Sequence, residues 1–144
     1  MAKVETQHQF NGTISQVFNG VCQYAEYPDY VPGVTSTQIL PAQEPGSSCQ
    51  VRYEINLVKK FYYVLNMFES EPNVISWTLA ESNVMKVNNG EWRFQELSKK
   101  KVLADYQVEA TFRGLVPKAL TDKVAKASIP GMLEGLQALI DAQS

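Results

Sequence analysis

The chain has 144 residues, 44% of them apolar and 19% charged, with 13 basic side chains against 15 acidic ones for a net charge of −2. That length accommodates a single domain over residues 1–144 with a full hydrophobic core, without metal or disulfide staples. A disulfide-dense secreted mini-fold is thereby excluded, and Cys22 and Cys49 read as reduced thiols that pack as small hydrophobes. No apolar run approaches the ~20 residues of a membrane span, and no basic-plus-apolar signal segment opens the sequence, so the expected location is cytoplasmic. The slight negative charge argues against nucleic acid as a partner, because phosphate binding calls for a clearly basic face. The one basic run, Lys99-Lys100-Lys101, reads as a solvated hairpin turn.

The first residues alternate, with Val4, Thr6, His8 and Phe10 on one face and Lys3, Glu5, Gln7 and Gln9 on the other, which is the pattern of a half-buried strand. Asn11-Gly12 breaks it. Thr13 and Gln16 then stand at capping-box spacing ahead of a helix whose apolar face is Ile14, Val17, Phe18, Val21, Cys22 and Ala25. In Tyr27-Pro28-Asp29-Tyr30-Val31-Pro32-Gly33, Pro28 opens a short helical turn and Pro32-Gly33 closes it. From Val34 to Phe112 the period is two. Turn signals at Glu44-Pro45-Gly46, Glu71-Pro72-Asn73, Asn88-Asn89-Gly90 and the lysine run divide the region into about six antiparallel strands. Phe61 to Phe68 is apolar on both faces, as expected of a strand that is covered twice or meets a partner; a homodimer through Tyr62, Val64 and Phe68 is compatible with that pattern. After Gly114 the period becomes helical through Val116, Leu120, Val124 and Ala127. Pro130-Gly131 is expected to kink or break the helix before Met132, Leu133, Leu136, Leu139 and Ile140 resume the stripe.

This order of elements is α+β. Together with Tyr27-Pro28-Asp29-Tyr30-Val31-Pro32, Gly90-Glu91-Trp92-Arg93-Phe94, Val116-Pro117 and Ile129-Pro130-Gly131-Met132-Leu133, it resembles the polyketide cyclase/dehydrase and coenzyme Q-binding group of the START-like (Bet v 1-like, SRPBCC) superfamily over nearly the whole chain. The resemblance implies a helix-grip fold: a curved antiparallel sheet of about seven strands wrapped around a long C-terminal helix, with two short helices after the first strand and a cavity between sheet and helix. It also implies a hydrophobic small-molecule partner, whether lipid, quinone or polyketide-like.

On the alternation alone, the inner wall draws on His8, Phe10, Tyr53, Ile55, Tyr63, Leu65, Trp92, Phe94, Tyr106 and Val108 from the strands. Leu120, Val124, Met132, Leu133 and Leu136 face them from the helix. Such a list suits buried area for affinity with sparse polar handles, and equally suits a collapsed core with no cavity. His8, the only histidine, with Tyr53 and Tyr106, would supply the acid or base of a cyclase or dehydratase. Against an enzyme, there is no nucleophile elbow, phosphate loop or metal-ligand spacing, and no cofactor is expected. Glu5, Glu54, Glu91, Glu109 and Arg52 fall on the outward phase, leaving Glu69 and Glu96 as inner-phase carboxylates. Binding or transport of a hydrophobic molecule is therefore the first reading, with a polyketide aromatase/cyclase or a protein-interaction module as alternatives. The Tyr27–Gly33 segment is placed beside the pocket mouth, as a lid or as a rigid corner.

Overall fold

The computed structural model describes residues 2–114, 116–123 and 127–143. Strand β1 (Ala2–Asn11) exposes Lys3, Glu5, Gln7 and Gln9 and turns Val4, Thr6, His8 and Phe10 inward, Phe10 becoming fully buried. The capping box forms as the spacing predicts: Gln16 N donates to Thr13 Oγ1 at 3.1 Å, and Thr13 N donates to Gln16 Oε1 at 2.9 Å. Both otherwise orphaned donors at the start of α1 (Ile14–Val21) are thus satisfied, and Val17, Phe18 and Val21 are buried. The helix is shorter than its apolar stripe. Cys22 is its C-cap, Ala25 is exposed, and Tyr24 on a 3-10 turn (Tyr24–Glu26) is buried instead. Pro28 sits in the first turn of α2 (Tyr27–Tyr30), where its missing N–H costs nothing.

Six strands follow: β2 (Val34–Leu40), β3 (Cys49–Leu57), β4 (Lys59–Ser70), β5 (Val74–Ser82), β6 (Met85–Ser98) and β7 (Lys101–Phe112). With β1 they make a seven-stranded antiparallel sheet in the order β1-β7-β6-β5-β4-β3-β2, a meander closed by β1 against the last strand. The lysine run turns between β6 and β7 as expected.

One turn reading fails, and one reversal carries no turn signal. Asn88-Asn89-Gly90 lies inside β6, and the chain reverses at Asn83-Val84. The glycine there serves a close approach, since a Cβ on Gly90 would lie 2.4 Å from the Trp77 ring. The reversal between β3 and β4 falls at Val58, with φ +63°, where no glycine or asparagine announces it.

On the convex face Val64 is 6% exposed, covered not by a helix but by its own sheet. Arg52 lies 4.1 Å from the Tyr62 ring centre, and Asn66 bonds to Gln50 (2.9 Å) and Thr78 (3.1 Å). Long side chains of adjacent strands shield that apolar face.

The C-terminal segment holds α3 (Lys118–Asp122) and α4 (Ile129–Gln143). Pro130-Gly131 stands at a break rather than a kink: α3 ends at Asp122, and both residues fall in the first turn of the separate helix α4, where proline is tolerated. Ala127 is exposed and outside the apolar stripe. Leu136, Leu139 and Ile140 are buried against the sheet and α1. A Cβ on Gly135 would meet Tyr30 O at 2.0 Å, so only glycine lets α2 cross α4 at this height. No helix among the described residues is long and apolar enough to cross a membrane.

Candidate functional site

The curved sheet and α4 enclose a cavity of about 150 Å³. Nine predicted wall residues line it: Tyr53, Ile55, Tyr63, Leu65, Trp92, Tyr106, Val108, Met132 and Leu136. Five others do not. Phe10 and Phe94 form a layer behind Trp92, at ring separations of 5.9 Å each, and Phe18 of α1 closes edge-on against Phe94 at 6.3 Å. That end of the sheet is filled by α1 and is solid. Leu120 is fully buried in the core. His8 and Leu133 line an open groove between β1 and α4, because β1 is the edge strand and its inner face there looks across at α4. Val124 lies outside the described residues.

His8 packs edge-on against Phe10 at 4.6 Å, and loss of hydration there lowers its pKa from 6.5. It is remote from the cavity wall and cannot serve as an acid or base within it. Nearby, Gln137 clamps α4 to the end of β1, donating to Asn11 O at 3.0 Å and accepting from Asn11 N at 2.9 Å.

Sequence reasoning missed Tyr24, Tyr27, Ile75, Trp77 and Asn88, all of which line the cavity. Ile75 and Trp77 carried a readable signal in the alternation of β5, where Ser76 and Thr78 take the opposite phase. Asn88 was hidden by its resemblance to a turn. It is buried, and its Oδ1 accepts from Trp77 Nε1 at 3.1 Å. The segment Val31–Val34 also lines the cavity, which brings the Tyr27–Gly33 corner onto its wall.

Aromatic rings dominate the interior. Tyr53 stacks on Tyr63 at 5.1 Å and tilts against Tyr27 at 6.2 Å, while Tyr106 lies 4.5 Å from Trp92 and 6.0 Å from Trp77. The hydroxyls divide into two groups. Tyr27 donates to Val21 O at 2.5 Å and Tyr24 to Glu69 Oε2 at 2.7 Å. Those of Tyr53, Tyr63 and Tyr106 make no hydrogen bond within the described residues, and the rings of Tyr63 and Tyr106 keep surface that faces the cavity. Burial pushes all three phenols above their usual pKa of 10, so they remain protonated donors at any physiological pH.

Among the described residues no Asp, Glu, Lys, Arg or His lines the cavity. Glu69 is half-buried and held by Tyr24 outside the lining, and Glu96 is exposed. Cys22 sits by the same carboxylate; burial first, and then the Glu69 charge, push its thiol up to about 12. Among the described residues no group of three or more His, Cys, Asp and Glu side chains could hold a metal ion.

The profile of the family described as polyketide cyclase/dehydrase and lipid transport matches residues 11–137. The chain belongs to that family. No curated protein is matched by the sequence. Among solved structures, a START superfamily protein from Mycobacterium smegmatis superimposes with a TM-score of 0.83 at 14% identity, covering 100% of both chains. The Zhui aromatase/cyclase from a Streptomyces species gives 0.75 at 16% identity, over 98% of this chain and 92% of its own. A conserved protein from Geobacillus kaustophilus gives 0.75 at 14% identity, over 99% and 96%. At these identities the likeness establishes the shared helix-grip fold, and the family's START-like membership agrees with the resemblance read from the sequence.

Proposed function

We propose that this family member binds a compact, uncharged hydrophobic molecule carrying hydrogen-bond acceptors, such as a ketone, quinone or ester. One observation carries the reading: among the described residues, an aromatic cavity without a charged lining group holds three phenol hydroxyls that have no hydrogen-bond partner. A phenol hydroxyl that opens onto the cavity and has no partner among the described residues can donate to a ligand acceptor, while the rings supply apolar area. A carboxylate or phosphate would enter with no cation to offset its lost hydration, so free fatty acids and phosphorylated ligands fit poorly. The volume suits a single ring or a slim chain; an engineered apolar cavity of about this size holds one benzene.

Catalysis of cyclisation or dehydration is the second reading, favoured by the likeness in fold to the Zhui aromatase/cyclase. In that reading the phenols would donate to an enolising carbonyl. Among the described residues the wall offers no base, since the phenols are pushed above their usual range and His8 lies in a separate groove, and this ranks binding first. The outer face of β4 gives little support to the third reading, an interaction module, because adjacent strands already cover Val64.

Native mass spectrometry of freshly purified protein, with organic extraction of the bound material, tests the proposal. A neutral ligand of one or two rings, displaced by a quinone or aromatic ketone but not by the matching carboxylic acid, supports it. Preferential uptake of the acid would overturn it.

A further inference from the structure

Although the chain is net negative, three segments at one end of its sheet carry cations and no acidic residue, the flanking Glu54, Glu81 and Glu109 lying one residue further into their strands. Three segments meet there. The β3–β4 hairpin, residues 55–60, carries Lys59 and Lys60; the β5–β6 turn, residues 82–88, carries Lys86; the end of β7, residues 110–114, carries Arg113. None of these segments contains an acidic residue. They are tied into one surface: Tyr62 N donates to Asn83 Oδ1 at 3.0 Å, Arg113 N donates to Val84 O at 2.8 Å, and Phe61 meets Phe112 edge-on at 6.1 Å. All four cations are exposed, and none makes an ion pair among the described residues. The nearest carboxylate along β5, Glu81, is engaged by the Tyr62 hydroxyl at 2.7 Å.

At the tip of the hairpin stands Val58. It is 61% exposed, the most exposed large hydrophobic side chain among the described residues, and its φ of +63° is one that a β-branched residue adopts at a cost. Glycine or asparagine would make the turn without strain, so the isopropyl group is not there for the fold. Its neighbour Leu57 lines the cavity, together with Phe61 and Gly33 at the same end.

We propose that this end docks on an anionic lipid surface, with the four cations against headgroups and Val58 inserted at the acyl boundary. Charge complementarity selects an anionic partner. The single apolar tip between cations, three of them lysines with long flexible stems, selects a membrane interface over a polar macromolecule. Docked this way, the end of the cavity bounded by Leu57 faces the phase in which a hydrophobic ligand dissolves. The surface itself rests on charge and exposure, and does not depend on the proposed ligand.

Co-sedimentation of the full chain, purified free of ligand, with phosphatidylcholine vesicles containing about 30% phosphatidylglycerol provides the test. Binding is expected at low salt and lost at about 1 M salt, where the Debye length falls to about 3 Å. The double substitution Lys59→Gln/Lys60→Gln should weaken it roughly 25-fold, about fivefold per lysine. Val58→Gly keeps every charge and relieves the backbone; it should weaken binding about fivefold by removing the apolar tip. Circular dichroism checks that both variants are folded. Equal binding to pure phosphatidylcholine vesicles, or no loss in either folded variant, would overturn the proposal. So would the absence of vesicle binding alongside retention by an acidic polypeptide such as polyglutamate, which would point to a protein partner. These readouts need no cavity ligand, so their failure is separable from failure of the binding proposal.

Discussion

The indole of Trp77 on β5 donates to Asn88 Oδ1 on β6 across 3.1 Å, inside the cavity wall. Register pairing of the two strands runs only from Val74↔Arg93 to Trp77↔Gly90, so this bond holds them together where the ladder ends. Among the described residues the Asn88 amide N–H donates to the Met85 sulfur alone, at 3.8 Å, a weak acceptor that a ligand oxygen would outcompete. Replacing Asn88→Leu would bury the indole N–H without an acceptor. The expected loss is about 1–3 kcal/mol, measured as a lower denaturation midpoint at unchanged slope. A variant as stable as wild type would show that the indole finds another acceptor.

The crossing of α2 over α4 depends on a missing side chain. A methyl on Gly135 would stand 2.0 Å from Tyr30 O, which is backbone, whereas one on Gly131 would stand 3.1 Å from Pro32 Cγ. Gly135→Ala should therefore force the Tyr27–Tyr30 turn away from the helix and cost about 2–3 kcal/mol, near the upper end for overpacking. Gly131→Ala meets only a ring atom that can shift by a few tenths of an ångström, and should cost less than half as much. Thermal melts of the two variants compare them directly, and the reverse order would mean that α2 does not sit on Gly135.

Much of the frame is legible in local pattern because its causes are local. Thr13 and Gln16 satisfy each other's backbone within one turn, and Val51, Tyr53 and Ile55 alternate because one face of β3 is wet. Periodicity also marks the dry phase of β1, β6 and β7 correctly. It cannot say what covers a dry residue. His8, Phe10 and Trp92 share that phase, yet one borders an open groove, one is solid core and one lines the cavity, depending on where α1 and α4 pack. Turn chemistry fails where tertiary contact overrides it: Asn88 and Gly90 are spent on Trp77, and the hairpin at Val58 is made despite its residue.

Removing the oxygen of Tyr63 or Tyr106 should separate binding from stability. Neither hydroxyl has a protein partner among the described residues, so Tyr63→Phe and Tyr106→Phe should change stability by less than about 0.5 kcal/mol. Affinity for a ligand with a carbonyl acceptor should fall by about 1 kcal/mol for each lost bond, roughly fivefold. Tyr24→Phe is the contrasting case, because it leaves Glu69 without its 2.7 Å donor and should lower stability. Titration of the two cavity variants with an aromatic ketone, beside denaturant melts of all three, resolves the pattern; equal affinity across the cavity variants would remove the phenols from ligand recognition.

Cys22 offers a test of the environment around Glu69. The thiolate is the reactive form, and burial together with the adjacent carboxylate raises this thiol from 9.0 to about 12. At pH 8 the thiolate population is then about a thousandfold below that of an ordinary cysteine, and alkylation by iodoacetamide should be slowed to match. Cys49 is raised by the same two causes but is less enclosed, so it should be modified first. Glu69→Gln removes the negative charge while keeping an acceptor for the Tyr24 hydroxyl, and it should speed modification of Cys22 without exposing it. The sign follows from the charge: a carboxylate beside a thiol disfavours a second anion, so its loss brings the thiol pKa down. Peptide mass spectrometry of timed quenches reads both sites at once. Alkylation of Cys22 in the native wild type at the rate of a free thiol would mean that the pocket formed by Tyr24 and Glu69 opens on the time scale of the reaction.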